Sequence, residues 1–247
     1  MPEILLNEYD KPGKQHFKIL FISWAGWVFD FYDLILFSFL LLPIGRELHF
    51  SDIQLSYVMG TSLAATAIGG VIFGILSDRY GRKSVLQLTI ITYSVGTFLC
   101  GLAPNLFTLL IFRIITGLGV GGEWATGQTY IGETFPAKMR GRYGAIMQTG
   151  APFGILLASV VGGFLSPVLG WRMCFFISIL PAIIVIFIRK KLPESDVWIL
   201  RRNFVSMQKN LPKEKSKFLL LFSNQYRKLF TFSLILAIFD MSAYWFT

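Results

Sequence analysis

"GILSDRYGRKSVL", Gly74 to Leu86, decides the reading of this chain. It sets Asp78, Arg79, Arg82 and Lys83 around Gly81, with long apolar runs on both sides. The 247 residues are 54% hydrophobic and only 15% charged, where a soluble domain carries about 25% charged residues. Mean hydropathy is +0.59. Apolar stretches of about 20 residues recur, the length that crosses a bilayer as a helix. There is too little polar sequence to cover a soluble helical core of this size.

The apolar segments are Phe17–Leu42, Leu55–Leu76, Ser84–Leu102, Leu106–Ile131, Tyr143–Leu165, Trp171–Ile188 and Leu229–Thr247. This predicts an all-α, polytopic membrane protein. Its parts are a polar tail at 1–16, six transmembrane helices at 17–188, a basic loop at 189–228 and a seventh helix at 229–247. The first run holds Asp30 and Asp33 and lacks a small-residue cleavage site, so it reads as a retained helix and not a signal peptide.

Charge sets the orientation. With the N-terminus and even-numbered links on one side, that side carries 20 basic residues and the other only Arg46 and Arg172. Such a split places the N-terminus and the basic loops in the cytoplasm of a multi-pass cell-membrane protein. The net charge of +9 therefore reports topology and contact with lipid headgroups; nucleic acid is not an expected partner. In the quoted stretch Gly81 permits a tight turn, and Arg79, Arg82 and Lys83 hold that turn on the cytoplasmic side. Topology does not account for Asp78, because acidic residues contribute little to it.

Asp30 and Asp33 in the first helix, and Arg113 and Glu123 in the fourth, lie deep within apolar runs. A charge at the centre of a membrane helix costs at least about 2.5–3.5 kcal/mol. Asp30 and Asp33 share a side of their helix. Arg113, Thr116, Val120, Glu123 and Gly127 form one stripe at three- and four-residue steps. Two readings follow: structural ion pairs, or proton binding. Burial favours the neutral acid and a nearby arginine the carboxylate, so a carboxylate that meets Arg113 and then loses it binds and releases a proton.

Glycines recur in the second, fourth and fifth helices, where small residues let backbones approach closely. Pro152 and Pro181 fall inside helices and predict kinks. Cys100 and Cys174 lie in apolar runs and read as packing residues. His16 and His49 fall on opposite sides of the predicted membrane, which excludes a shared metal site. No Walker loop or nucleophile–base pattern points to an enzyme.

The motifs resemble the major facilitator superfamily. "GILSDRYGRK" matches its G-x-x-x-D-R-x-G-R-[RK] loop between helices two and three, and "RIITGLGVGGEWATGQTYIGE", "PAKMRGR", "LGWRMCFFISILPA" and "LPESDVW" follow in the expected order. The resemblance covers the chain from about Ser23. It implies the six-helix N-terminal half of a facilitator fold plus the start of helix seven. "GWVFDFYD" and "GVGGEW" resemble the proton symporters of organic acids, in particular the sialate and lactate type and the metabolite–proton symporters. Sugar porters share several features but carry a glutamine where this chain has Ile155.

What the resemblance implies is symport of a small organic acid with protons by alternating access, driven by the proton gradient with no cofactor. Asp33 would carry the proton, tuned by Arg113, with Asp30 and Glu123 as secondary candidates. Trp27, Arg113 and Gln148 would line the substrate site. Gly74, Asp78, Arg79, Gly81, Arg82, Lys83, Glu133, Arg142 and Glu194 would form a cytoplasmic gate. A facilitator has about twelve helices, so this reading expects a fragment or truncation, with a C-terminal half required as partner. The alternatives are a sugar–proton symporter and a non-transporting fragment or sensor.

Overall fold

The computed structural model describes residues 5–180, 192–207 and 222–246, with positions 183, 185, 187, 190 and 220 between them. The described part is helical. The long helices are α1 (Lys14–Leu48), α2 (Asp52–Tyr80), α3 (Arg82–Cys100) and α4 (Leu106–Thr134). They are followed by α5 (Arg140–Gln148), α6 (Gly150–Val160), α7 (Ser166–Leu169), α8 (Trp171–Ile177), α9 (Asp196–Met207) and α10 (Arg227–Phe246). The chain divides into two compact units, Met1–Arg201 and Arg202–Thr247. The second carries α10, where the seventh apolar segment was predicted. Positions 189, 191, 208–219 and 221 of the basic loop, Pro181 and part of the end of the sixth segment lie outside the described residues.

Local chemistry sets the helix ends. Ser51 starts α2: its hydroxyl accepts the Gln54 N–H at 3.3 Å, and Gln54 Oε1 accepts the Ser51 N–H at 2.9 Å. That reciprocal pair satisfies two otherwise orphaned donors. Asn105 starts α4 by accepting the Thr108 N–H at 3.0 Å. Gly81, at φ +100°, ends α2 and begins α3. The fifth predicted segment is interrupted between α5 and α6, at Gln148–Gly150. A proline ring displaces the carbonyl four residues before it, and for Pro152 that carbonyl belongs to Gln148. A π-helical turn at Val161–Leu165 then joins α6 to α7.

Among the described residues, Lys14–Leu48, Asp52–Tyr80, Leu106–Thr134 and the combined Arg140–Leu169 are long and apolar enough to cross a membrane. The helices run beyond the apolar segments at several ends. About 20 residues fill the hydrocarbon thickness, and the extra turns project past it. The predicted polar tail is shortened accordingly: α1 begins at Lys14, and His16 is buried.

Large apolar side chains stay exposed along α2, α3 and α6, including Ile68, Ile72, Leu88, Ile91, Leu156 and Val160. That surface suits hydrocarbon. Because lipid gives no hydrophobic drive between helices, they associate through close packing, and the glycines supply it. A Cβ at Gly121 would overlap the Thr66 carbonyl oxygen of α2 and sit 2.9 Å from the Gly70 nitrogen. A Cβ at Gly119 would lie 2.5 Å from the Tyr93 nitrogen of α3. At Gly154 it would be 2.8 Å from the Tyr32 nitrogen of α1. So α4 is wedged between α2 and α3, while α1 lies against α6.

Overpacking a core costs about 1–3 kcal/mol and occasionally more. Gly121→Val is expected to reach the top of that range and lower the melting temperature in detergent. Gly132→Ala, where a Cβ meets nothing within 4 Å, is expected to leave it unchanged. Equal melting of the two variants would contradict the backbone-contact account.

Candidate functional site

The polar stripe predicted on α4 is buried throughout, from Arg113 through Thr116, Val120 and Glu123 to Gly127. At Arg113 it meets α1. Arg113 Nη1 donates to Asp33 Oδ2 at 3.2 Å, and Nη2 to Ser62 Oγ of α2 at 3.2 Å. The guanidinium also lies 4.0 Å from the Phe37 ring centroid, a cation–π contact. The other Asp33 oxygen accepts a short hydrogen bond from Thr97 Oγ1 of α3. Arg113 is 1% exposed and Asp33 3%. Four helices therefore contribute to one buried ion pair. Breaking such a pair by removing one partner costs about 3–5 kcal/mol, because the remaining charge stays buried.

Beside Asp33 is a cavity of about 10 Å³ lined by Phe29, Tyr32, Tyr93, Ser94, Thr97 and Ser178. That is about the space one water needs. Tyr32 and Ser178 hydrogen-bond to each other across it at 2.8 Å. The hydroxyl lining was not read from the sequence, because its members come from three different segments.

The other predicted residues have surroundings of their own. Glu123 accepts from Thr89 Oγ1 of α3 at 2.8 Å. It stands ten residues beyond Arg113, roughly 15 Å along the helix. Asp30 is fully buried, but the ion pair with Arg113 is made by Asp33. Trp27 packs with Phe31 and with Trp124 of α4, which stacks on Phe31 at 5.4 Å. Trp124 was not singled out in the sequence, although "GVGGEW" contains it. Gln148 lies exposed at the end of α5 and is not brought to the ion pair.

A second assembly surrounds Gly81. Arg82 Nη1 donates to Asp78 Oδ1 at 2.8 Å and to Ser77 Oγ at 3.2 Å. Its Nε and Nη2 grip Glu133 of α4 at 3.0 and 2.6 Å. Burial alone weakens the guanidinium's hold on its proton, but the bonds to Glu133 and Asp78 outweigh it and hold Arg82 above the ordinary arginine range. Glu194 caps α3: one carboxylate oxygen accepts the N–H groups of Arg82 at 2.7 Å, Lys83 at 3.1 Å and Ser195 at 2.9 Å. Negative charge there also suits the helix dipole.

Gly81 is required twice over. Its φ of +100° disfavours any L side chain, and a Cβ would collide with the Glu194 carboxylate. Ser195 Oγ donates to Glu133, Trp198 Nε1 to the Asp78 carbonyl at 2.9 Å, and Tyr130 OH to the Pro193 carbonyl at 2.7 Å. These four bonding groups — Ser77, Ser195, Trp198 and Tyr130 — escaped the sequence reading of the gate, which weighed only charged residues and glycines. Of the predicted gate residues, Lys83 joins through its backbone. Arg79 stacks over Tyr80 at 5.3 Å. Arg142 is exposed and lies outside this network. A Cβ at Gly74 would make only an ordinary 4.0 Å contact with Ala125.

These two assemblies stand on the fold of a known family. The sequence profile of the Major Facilitator Superfamily matches residues 21–247. The chain belongs to the Major Facilitator Superfamily. It is 38% identical to the sialic acid transporter NanX of Escherichia coli (strain K12) over 205 residues, 83% of this chain and 48% of that protein. It is 36% identical to the niacin transporter NiaP of Acinetobacter baylyi, over 77% of this chain and 43% of that protein. Among solved structures, the proton:xylose symporter XylE bound to 6-bromo-6-deoxy-D-glucose superposes with a TM-score of 0.70 at 24% identity. That match covers 76% of this chain and 46% of that one, and it shows the fold. The chain spans about half the length of the curated relatives it matches. It is an all-α membrane protein with a half-facilitator fold, and the relatives named here are transporters.

The Glu194 cap yields a direct test. Hydrogen bonds to a charged acceptor contribute about 1.5–3 kcal/mol. Glu194→Gln is expected to cost about 2 kcal/mol and to speed hydrogen exchange at the Arg82 and Lys83 amides. Unchanged exchange at those two amides would contradict the assigned role.

Proposed function

We propose that this chain forms the N-terminal half of a proton-coupled symporter that moves a small organic acid across the cell membrane by alternating access, with its N-terminus in the cytoplasm. The observation that carries the reading is the buried Asp33–Arg113 ion pair, braced from α2 by Ser62 and from α3 by Thr97. Asp33 takes up a proton as its contact with Arg113 opens and returns it as the contact closes. Arg113 serves alternately as the partner of Asp33 and of the substrate carboxylate. The names of relatives support the substrate class: sialic acid, niacin and cis,cis-muconate are all organic acids.

The Arg82–Glu133–Glu194 assembly acts as the cytoplasmic latch. Its exposed member, Asp78, is 42% accessible at the side chain, and exposed pairs contribute little individually. Weak outer contacts around a firm inner pair suit a joint that opens repeatedly. A C-terminal half supplies the facing wall of the binding site, and the proton gradient supplies the energy.

Asp33→Asn in the full transporter is expected to abolish uphill accumulation while leaving exchange of labelled for unlabelled substrate. Sialic acid, niacin, lactate and hexoses would be offered as competitors. Proton-driven accumulation by the variant at the normal level would overturn the coupling role. Competition by hexoses alone would replace the organic-acid reading with a sugar symporter.

A further inference from the structure

The segment before α1 makes contacts that neither coupling nor latching explains. Leu6 lies partly buried against a core cluster containing Ile19, Ile131, Phe135 and Leu192. Its N–H donates to Asp196 Oδ2 at 3.0 Å. Its carbonyl faces His16 Nε2 at 2.8 Å. His16 in turn is 1% exposed and accepts the Gly13 N–H on Nδ1 at 3.1 Å. The ring is packed edge-on to Phe135 of α4 at 5.3 Å and to Tyr9 at 5.7 Å.

Those two bonds fix the protonation state of the ring. A backbone N–H can only donate, so Nδ1 must present its lone pair to Gly13. The proton of the neutral ring then sits on Nε2 and donates to the Leu6 carbonyl. An imidazolium carries N–H on both nitrogens. Its second proton would point at the Gly13 N–H, in a site almost closed to water. Only the neutral ring satisfies both ends of the segment.

The surrounding charges do not compensate. Tyr9 is the titratable ring in direct contact. Glu8 accepts the Leu5 N–H at 3.3 Å, Arg140 donates to the Phe135 carbonyl at 3.1 Å, and Asp196 holds the Leu6 N–H. Each is directed to the backbone of a neighbouring residue. Asp10 and Lys14 are exposed.

We propose that residues 5–13 form a strap that ties the start of α1 to the 194–196 segment, and that protonation of His16 releases it. Asp196 directly follows Glu194 and Ser195, which cap α3 and bond Glu133. Tension on Asp196 is therefore tension on the latch. With the strap docked, the linker is held against the Gly81 turn. Once His16 is charged, the Gly13 bond is lost, Leu6 leaves its site, and the linker keeps only its own contacts. Acidification on the side that carries the turn would loosen the latch. This last consequence rests on the latch reading given above; the strap and its histidine do not.

The test uses the full chain in lipid nanodiscs, with a spin label on Asp10→Cys and Cys100 and Cys174 replaced by alanine. Asp10 is exposed, and replacing it removes one acid-titrating group from the strap. On acidification from about pH 8 to about pH 4.5, a window that spans the ordinary histidine range and passes below it, the mobile fraction is expected to rise at least about threefold. His16→Gln, which retains an amide near Nε2 and cannot titrate, is expected to abolish that rise. Hydrogen exchange of the unaltered chain gives a second reading, with protection of the Leu6 and Gly13 amides lost at the lower pH after correction for intrinsic rates. A label that is equally mobile at both pH values overturns the proposal, as does a rise that persists in His16→Gln or protection that survives acidification. None of these readouts depends on transport, so failure of the symport reading leaves the test standing.

Discussion

Burying Arg113 is the constraint around which this helix bundle is organised. A guanidinium in hydrocarbon must be paired, and its planar fork asks for partners in fixed directions. One arm goes to Asp33 on α1 and the other to Ser62 on α2, with Phe37 under the face. Asp33 has a second oxygen, which Thr97 on α3 satisfies. These bonds need α4 to sit close to three neighbours at one level. The glycine contacts meet that need: Gly117 against Ser62 and Ala65, and Gly96 against Thr116, lie within a turn or so of the pair. Close packing and charge pairing are thus the same design seen from two sides.

The two polar assemblies differ in kind. Around Asp33 the groups are buried, few and dependent on one another, so a change of protonation cannot be absorbed locally. Around Gly81 the bonds are numerous and shared among α2, α3, α4 and the 193–198 segment, and the outermost member is partly exposed. In the proposed function the first senses one proton and the second holds and releases a surface. Glu123 is bonded to Thr89 of α3, well along α4 from Arg113.

Much of this was legible from residues alone. The GILSDRYGRK motif, the alternating basic loops and the apolar runs specify the helices and their order, because bilayer thickness and helix pitch leave few options. The Arg113 stripe was legible for the same reason, since helical periodicity sets which residues share a face. Pairing across helices was legible only through the family resemblance, which set Asp33 with Arg113. Nothing local distinguishes Asp33 from Asp30, or Ser62 from its neighbouring hydroxyls; the choice is made by how far the glycines let α4 approach. The break at Gln148–Gly150 was signalled only indirectly by Pro152, four residues downstream. His16 looked like the end of a polar tail because its burial depends on Leu6 and Phe135 meeting in space.

The central claim is that Asp33 takes up a proton when its contact with Arg113 opens and returns it when the contact closes. Infrared difference spectroscopy of the full protein in lipid, comparing acidic with neutral solution, observes this without any transport assay. A carboxylic-acid carbonyl band should appear on acidification of the wild type and be missing in Asp33→Asn. A spectrum with no such band, or a band unchanged by Asp33→Asn, would show that Asp33 stays ionised beside Arg113, leaving the pair a structural tie and no carrier of protons.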